Sequence, residues 1–353
     1  MDSPGHFLAV PGQPLTFNLD ASESGVPAGT AYAYSVQWGD GSPAQNFSGS
    51  SAAQAPHTYV APGAYTITVT ATDQLFFNTN QLSVSISITT VAMETDPADK
   101  TLMALYVGGT PGNDTIAITP ATSMGPGGTV INNGVKVGMN FVNYGSFFPT
   151  GQHVIVYSQS GNDIIKTAAQ TLNGMLTYVN VPLIIFAGGG TDILNVTGSM
   201  AGNVLVGGGG ADRLMGGQGR DILIAGAGAS TLQAGNPPPT NLAQGGAILI
   251  GGTTAYDNNA VALAALLAEW SRTDIDYTTR MDHLLGTMTG GMNGPYFLIP
   301  RTPTSSGTVY DNGMIDKLYG GGGMDWYFAD TMMPAIMDMI FNKTTGEMVT
   351  SIT

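Results

Sequence analysis

From residue 187 onward the chain keeps returning to a nine-residue unit: glycine at the first, second and fourth places, aspartate at the sixth, an apolar residue at the eighth. AGGGTDILN ends at Asn195, two residues intervene, and GSMAGNVLV, GGGGADRLM, GGQGRDILI and AGAGASTLQ then run without a gap from 198 to 233. Few folds accept such a pattern. Each unit leaves room for a strand of only three residues, too short to persist alone. Stacked in parallel, such strands bury a continuous row, here Leu205, Leu214, Leu223 and Leu232. The 50 glycines of this 353-residue chain, about twice the usual usage, are therefore positional: they let the loops between strands enter φ > 0 conformations and turn carbonyl oxygens inward.

A carboxylate at the sixth place adds chemistry. A hard divalent cation needs six to eight oxygens at ~2.3–2.6 Å, more than one loop of carbonyls and a carboxylate offers, so two stacked loops must share each ion. Two units make one winding, which pairs Asp212 with Asp192 rather than with its sequence neighbour Asp221. The alternative is that hydrogen bonds hold the coil and the aspartates cap turns.

The unit resembles the RTX, or haemolysin-type, calcium-binding β-roll. The resemblance extends with interruptions over residues 109 to 330, through GTPGNDTIA at 109–117, SQSGNDIIK at 158–166, a weak copy LAQGGAILI at 242–250, DNGMIDKLY at 311–319 and GGGGMDWYF at 320–328; only 207–224 matches in full. Carried over place by place, it implies Ca2+ bound by Asp114, Asp163, Asp192, Asp212, Asp221, Asp316 and Asp325, with Gly188, Gly190, Gly208, Gly210, Gly217 and Gly219 shaping the loops. The best site falls between Asp192 and Asp212. Asn203 and Ser230 depart from the pattern.

Units two apart share a sheet. One sheet stacks Ile184-Ile185-Phe186, Val204-Leu205-Val206, Ile222-Leu223-Ile224 and Ile248-Leu249-Ile250, apolar on both faces; the other stacks Ile193-Leu194-Asn195, Arg213-Leu214-Met215 and Thr231-Leu232-Gln233, with mostly polar flanks. The first needs a cover. Residues 260–286 switch to helical spacing and suggest a pair of helices, with Leu263, Leu266, Leu267 and Trp270 facing that sheet. Asn236-Pro237-Pro238-Pro239 interrupts the run, Asn133-Gly134 reads as a hairpin turn between Val130-Ile131 and Val135-Lys136-Val137, and Met332, Met333, Met337, Met339 and Met348 mark a C-terminal packing segment over 331–353.

Residues 7–90 alternate with period two, most clearly in Tyr65-Thr66-Ile67-Thr68-Val69-Thr70-Ala71-Thr72, and carry turns at Gly39-Asp40-Gly41 and Pro62-Gly63, which implies an antiparallel sandwich. Trp38-Gly39-Asp40-Gly41-Ser42, His57-Thr58-Tyr59 and Pro62-Gly63-Ala64-Tyr65 through Asp73 resemble the signature of a PKD domain, an immunoglobulin-like spacer or adhesive module of extracellular proteins. The expected fold is mainly β: an immunoglobulin-like sandwich at 1–91, a connector at 92–107, and a parallel β-roll or β-helix at 108–353 with a helical insert.

The composition narrows the function. With 24 acidic against 10 basic residues and a formal net charge of -14, nucleic acid and anionic membranes are poor partners, whereas cations are good ones. The absence of cysteine excludes disulfides and thiolate chemistry. Met1 to His6 holds neither a basic segment nor an apolar core, so no signal peptide is expected there. No apolar run reaches the ~18 residues of a membrane span. Ile222 to Gly228 imitates a dinucleotide turn but leads to prolines instead of a helix. His6, His57, His153 and His283 are scattered, and Asp274 and Asp276 suit a helix start. The chain reads as a non-enzymatic, extracellular or cell-surface structural or adhesive protein, stiffened by calcium and self-associating into a fibre or surface layer. The alternative is the accessory part of a secreted hydrolase whose sandwich touches cell-surface polysaccharide.

Overall fold

The computed structural model describes residues 7–25, 27, 29–49, 52–151, 153–236 and 245–353. The start at Met1–His6 and the prolines at 237–239, with part of the weak unit at 242–250, lie outside the described residues. The chain divides into two compact units, Met1–Ala92 and Met93–Thr353.

The first unit is a sandwich. Phe7–Ala9, Thr79–Ile88, Gly63–Asp73, Tyr32–Gln37 and Gln45–Gly49 form one sheet, in that spatial order, and Leu15–Asp20 pairs with Ala52–His57 in the other. Alternation sends Tyr34, Val36, Ile67 and Ile86 into a core around the fully buried Trp38. The polar face is knitted by cross-strand hydroxyls, Thr68 to Ser83 at 3.2 Å and Thr72 to Thr79 at 3.0 Å. His57 stacks on Trp38, ring centres 4.3 Å apart, and bonds Asp40 at 2.8 Å, so its role is structural.

The second unit is a parallel coil of two sheets. The sheet with polar flanks runs from Thr115–Met124 through Ile164–Thr167, Ile193–Asn195, Arg213–Met215, Thr231–Gln233 and Lys317–Tyr319 to Met339–Phe341. The apolar sheet runs from Met103–Gly108 through Val154–Tyr157, Leu183–Phe186, Val204–Val206, Asp221–Ile224, Ala247–Ile250 and Trp326–Ala329 to Met348–Ser351. Leu194 aligns with Leu214 and Leu232, and Leu205 with Leu223 and Leu249, all wholly buried. Each such side chain contributes about 1.5–3 kcal/mol by leaving water.

Several sequence signals are overridden by tertiary structure. The segment 92–107, read as a connector, contains Met103–Gly108, whose Ala104, Leu105 and Val107 are wholly buried, because the apolar run has a neighbouring strand at Val154–Tyr157 to pair with. Asn133-Gly134 makes no turn: Val130–Met139 is one strand between Thr115–Met124 and Val142–Phe147. Gly134 is needed there because a Cβ would meet the Phe147 carbonyl at 2.6 Å. The segment 331–353 supplies the last strand of each sheet, but Met332, Met333, Met337, Met339 and Met348 are exposed, so backbone pairing holds it rather than methionine packing.

The insert leaves between Thr253–Thr254 and Val309–Tyr310, which pair with each other. Helix α1 (Ala260–Trp270) starts on the Asn259 cap and α2 (Tyr277–Leu285) on the Asp276 cap. The face of α1 that carries Leu263, Leu266, Leu267 and Trp270 is buried, and α1 lies against Leu183–Phe186, Val204–Val206 and Asp221–Ile224. Arg220 donates to the carbonyls of Ser271 and Arg272 and pins the C-terminus of α1. Both flanks of the apolar sheet are thereby out of water, whereas Arg213 and Ile193 on the other sheet face solvent. Leu267→Ala should destabilise the second unit by about 3 kcal/mol in denaturant unfolding, as for other buried leucines. A loss below about 0.5 kcal/mol, the range of ordinary surface changes, would show that α1 is not the cover.

Candidate metal centre

Because two units complete a winding, the loops alternate between two edges of the coil. One edge stacks residues 109–114, 158–163, 187–192, 207–212, 225–230 and 311–316; the other stacks 198–203, 216–221 and 320–325. Parallel bridges from Ser160 to Gly189 and from Gly189 to Gly209 hold successive loops of the first edge in register.

The aspartates form ladders along these edges. On the first, the Asp114 amide donates to Asp163 Oδ1 at 2.7 Å, that of Asp163 to Asp192 Oδ1 at 2.7 Å, and that of Asp192 to Asp212 Oδ1 at 2.8 Å. Asp212 continues to the Ser230 hydroxyl, Ser230 to Asp316, and Asp316 to Asp338. Asp192 and Asp212 thus meet as neighbours one winding apart. Asp221 stands on the second edge, where Asn203 donates to it and Asp325 accepts from Ala247.

The second carboxylate oxygens divide the aspartates into two groups. Asp221 Oδ2 accepts from Gly217 at 2.7 Å, Asp325 Oδ2 from Gly321 at 2.8 Å, Asp114 Oδ2 from Thr110 at 2.6 Å, and Asp316 Oδ2 from Asn312 at 3.0 Å. The Oδ2 atoms of Asp163, Asp192 and Asp212 are buried and have no hydrogen-bond partner. The Ser158 hydroxyl lies near Asp163 but donates to the Ala187 carbonyl at 2.8 Å. Loop geometry accounts for part of the difference. Gly188 and Gly208 sit at φ +88° and +87° and do not give their amides to Asp192 and Asp212, whereas Gly217 and Gly321 keep ordinary φ and donate. The expectation of positive φ therefore holds at Gly188, Gly190, Gly208 and Gly210 and fails at Gly217 and Gly219, which must be glycine for lack of space beside the Ser199 carbonyl and the Ala201 backbone.

A buried oxygen with no donor is an energetic liability of about 1–3 kcal/mol. Burial raises Asp163 to about 6 and Asp212 to about 7, with the charge of Asp192 adding to both, and burial also raises Asp192. Among the described residues the ion pairs of basic side chains go to Asp40, Asp96, Glu269 and Asp274, never to these aspartates. Three stacked carboxylates thus each present a dry oxygen with neither donor nor counter-charge, which fits a hard cation held otherwise by loop carbonyls. No group of three or more acidic or imidazole side chains suited to a metal occurs among the described residues, so carbonyls would have to supply most of the shell. At Asp221, whose Oδ1 also takes the Asn203 side-chain amide at 2.8 Å, the protein itself fills the place of an ion; Asp114, Asp316 and Asp325 are satisfied in the same way.

Sequence reasoning missed Asp338 and Glu347, which extend the two ladders to Asp316 and Asp325. The available signal was an acidic residue directly before a short strand, Met339–Phe341 or Met348–Ser351; without the glycine pattern it is weak.

Comparison with known families agrees with this geometry. The PKD domain profile matches residues 3–86 and the RTX calcium-binding nonapeptide repeat, in 4 copies, matches residues 197–232. The ladder on the first edge extends beyond the matched repeats in both directions, to Asp192 and Asp163 on one side and to Asp316 on the other. No curated protein and no solved structure matches the chain. Its first unit therefore carries a PKD domain, and its second carries RTX repeats, a known calcium-binding motif, within a β-roll.

Proposed function

We propose that this is a non-enzymatic extracellular structural or adhesive protein whose roll is stiffened by calcium held between the loops ending at Asp163, Asp192 and Asp212. The observation that carries this reading is the run of three buried carboxylate oxygens without partners, on the edge where Asp114, Asp163, Asp192 and Asp212 follow one another in successive loops. Extracellular modules bind calcium at ~0.1–1 mM, so the roll would order where calcium is abundant and stay loose where it is scarce. PKD domains and RTX repeats are non-catalytic structural and binding modules, and no helix among the described residues is long and apolar enough to cross a membrane.

Self-association into a fibre or surface layer is supported by the C-terminal end of the roll. Its last strands, Met339–Phe341 and Met348–Ser351, are the outermost of their sheets, and exposed methionines surround them. Unpaired strand edges of this kind either need covering or pair with another chain. A second reading, the accessory part of a secreted hydrolase, is favoured by the sandwich: Phe76 and Phe77 are 57% and 76% exposed at the tip of the hairpin between Gly63–Asp73 and Thr79–Ile88. Asp73 holds that tip by accepting from Leu75, Phe76 and Asn78.

Thermal unfolding in about 10 mM calcium, well above the affinity of extracellular modules, and in chelator tests the metal. Two ions at about 10–100 times their dissociation constants stabilise by roughly 3–5 kcal/mol, which in a unit of this size raises Tm by about 10 °C. Asp192→Asn should remove most of that difference and Asp221→Asn should preserve it. Equal melting with and without calcium would end the proposal, and a monomer at every concentration in a sizing experiment would end the assembly part alone.

A further inference from the structure

The last winding of the first edge departs from the nonapeptide pattern. The strands Leu183–Phe186, Val204–Val206, Asp221–Ile224, Ala247–Ile250 and Trp326–Ala329 align Phe186, Val206, Ile224, Ile250 and Phe328 in register. Two residues beyond each stand Gly188, Gly208, Gly226, Gly252 and then Asp330. At Gly188, Gly208, Gly226 and Gly252 this place has no side chain, whereas the first turns of the edge carry Thr110 and Gln159 and the final one carries a carboxylate. Asp330 is 1% exposed; its Oδ1 accepts from the amides of Met332 at 2.8 Å and Met333 at 3.2 Å, and its Oδ2 is buried without a partner.

A second buried oxygen without a donor belongs to the loop that returns from the helical insert. Asp311 Oδ2 accepts from the Gly313 amide at 3.1 Å, while its Oδ1 is buried and unpartnered. The two loops are joined through Asp338, whose Oδ1 accepts from Asp316 at 2.8 Å and whose Oδ2 accepts from Asp330 at 2.9 Å. Burial raises the Asp311 carboxyl, and the charge of Asp330 raises it further. Asp311, Asp316, Asp330 and Asp338 thus lie on two linked loops with no basic partner among the described residues, although no three of them converge as a metal-holding group, so loop carbonyls would have to complete any shell. Asp316 and Asp338 have both oxygens engaged by amides; the two orphaned oxygens come from Asp311 and Asp330.

We infer that Asp311 and Asp330 form a further calcium site, separate from the sixth-place aspartates of the repeats, that fastens the loop returning from the insert to the last winding of the roll. Leaving two like charges dry and unpaired is strongly unfavourable, and a divalent cation between them removes the penalty for both. The donors are all hard oxygens, with neither imidazole nor thiolate, which selects calcium over zinc or copper. The chain leaves the coil at Thr253–Thr254 and rejoins it after Val309–Tyr310, so the coil is continuous there in space but not in sequence. A cation would tie that discontinuity. The strands beyond it, Trp326–Ala329, Met339–Phe341 and Met348–Ser351, would then depend on calcium for their order.

The test uses the full chain, stripped with chelator and titrated with calcium by calorimetry, with hydrogen exchange read over residues 326–353. Asp311→Asn/Asp330→Asn should bind one ion fewer than the parent and lose the calcium-dependent protection of 326–353, expected to be tenfold or more. Asp192→Asn/Asp212→Asn should lose its own ions and keep that protection, so the two metal readings fail separately. An unchanged ion count in a folded Asp311→Asn/Asp330→Asn variant overturns the inference. If that variant does not fold, Asp311→Asn alone, which can keep the turn to Gly313, should weaken one ion at least tenfold; unchanged affinity overturns it equally, and a parent that binds no calcium overturns both readings.

Discussion

Gly210→Ala should unfold the second unit or destabilise it by at least about 4 kcal/mol, while Gly209→Ala one residue away should change stability by less than about 1 kcal/mol. A Cβ on Gly210 would coincide with the Gly190 carbonyl oxygen of the loop one winding back, and Gly210 also sits at φ +116°. A Cβ on Gly209 would approach nothing closer than the Gly188 oxygen at 3.8 Å, an ordinary contact. The clash at 210 cannot be relieved locally. The Gly190 oxygen belongs to a loop whose own fourth-place glycine presses in the same way on Gly161, and Gly228 presses on Gly210 in turn. Moving one loop therefore disturbs the whole stack, which is how overpacking and a forbidden φ combine into an exceptional loss. Denaturant unfolding of the two variants, each with and without calcium, measures this. Equal stability would mean that the loops are not stacked backbone on backbone.

The calcium-free protein should be more stable at pH 5 than at pH 7.5, the reverse of what ion-paired carboxylates produce. Burial raises Asp221, Asp316 and Asp338 to about 7 and Asp325 to about 6. A carboxyl raised in the folded state holds its proton more tightly there than in the unfolded chain. Its stabilisation is complete below the unfolded value near 4 and is lost as pH climbs through the folded value. The window therefore runs from about pH 4 to 7. A tenfold difference in proton affinity between the folded and unfolded chain corresponds to about 1.4 kcal/mol, so Asp221 alone sets a ceiling of about 4 kcal/mol. Asp221→Asn, which carries no charge at any pH, should flatten the dependence by about that share. Calcium should act in the opposite sense, since its carboxylate ligands must be ionised: the gain in Tm from calcium should be largest at pH 7.5 and shrink toward pH 5. Melting curves at the two pH values, in chelator and in calcium, give all four numbers. An apo protein that loses stability on acidification from pH 7.5 to 5 would show that these carboxyls are held ionised.

Much of the roll was legible because its rules are local and periodic. Three-residue strands, the interior leucines and the loop glycines are each set by position within nine residues, and Asp192 and Asp212 are neighbours because two units make one winding. The covering of the apolar sheet by α1 followed from the same arithmetic: once the outward flanks were known to be apolar, something with an apolar face had to lie on them. The reading failed where a local signal met a distant partner. Asn133-Gly134 has the chemistry of a turn, yet Gly134 pairs with Ala121 and the strand continues into residues paired on both sides from Val135 onward, which holds it extended. Asp338 has no flanking glycine and Glu347 only Gly346, and both still join the ladders, because their strands pair with the ends of the two sheets.

The sequence by itself determined that this chain must coil, where each turn of the coil places its acids, and that those acids suit a hard cation. Which of them keep an oxygen for one was decided by tertiary structure. Asp221 matches the motif as fully as Asp212, but its donors are Asn203, one winding away, and a Gly217 amide oriented by the loop beneath it. Asp114 is quenched by Asn140, which lies outside the repeats, and Asp316 by Asn312, which stands where its unit would have the second glycine. A carboxylate in a dry interior takes the nearest donor that the packed chain offers, whether from its own unit, as at Gly217 and Asn312, or from another, as at Asn203 and Asn140, and which of these reaches it depends on how the loops stack between windings.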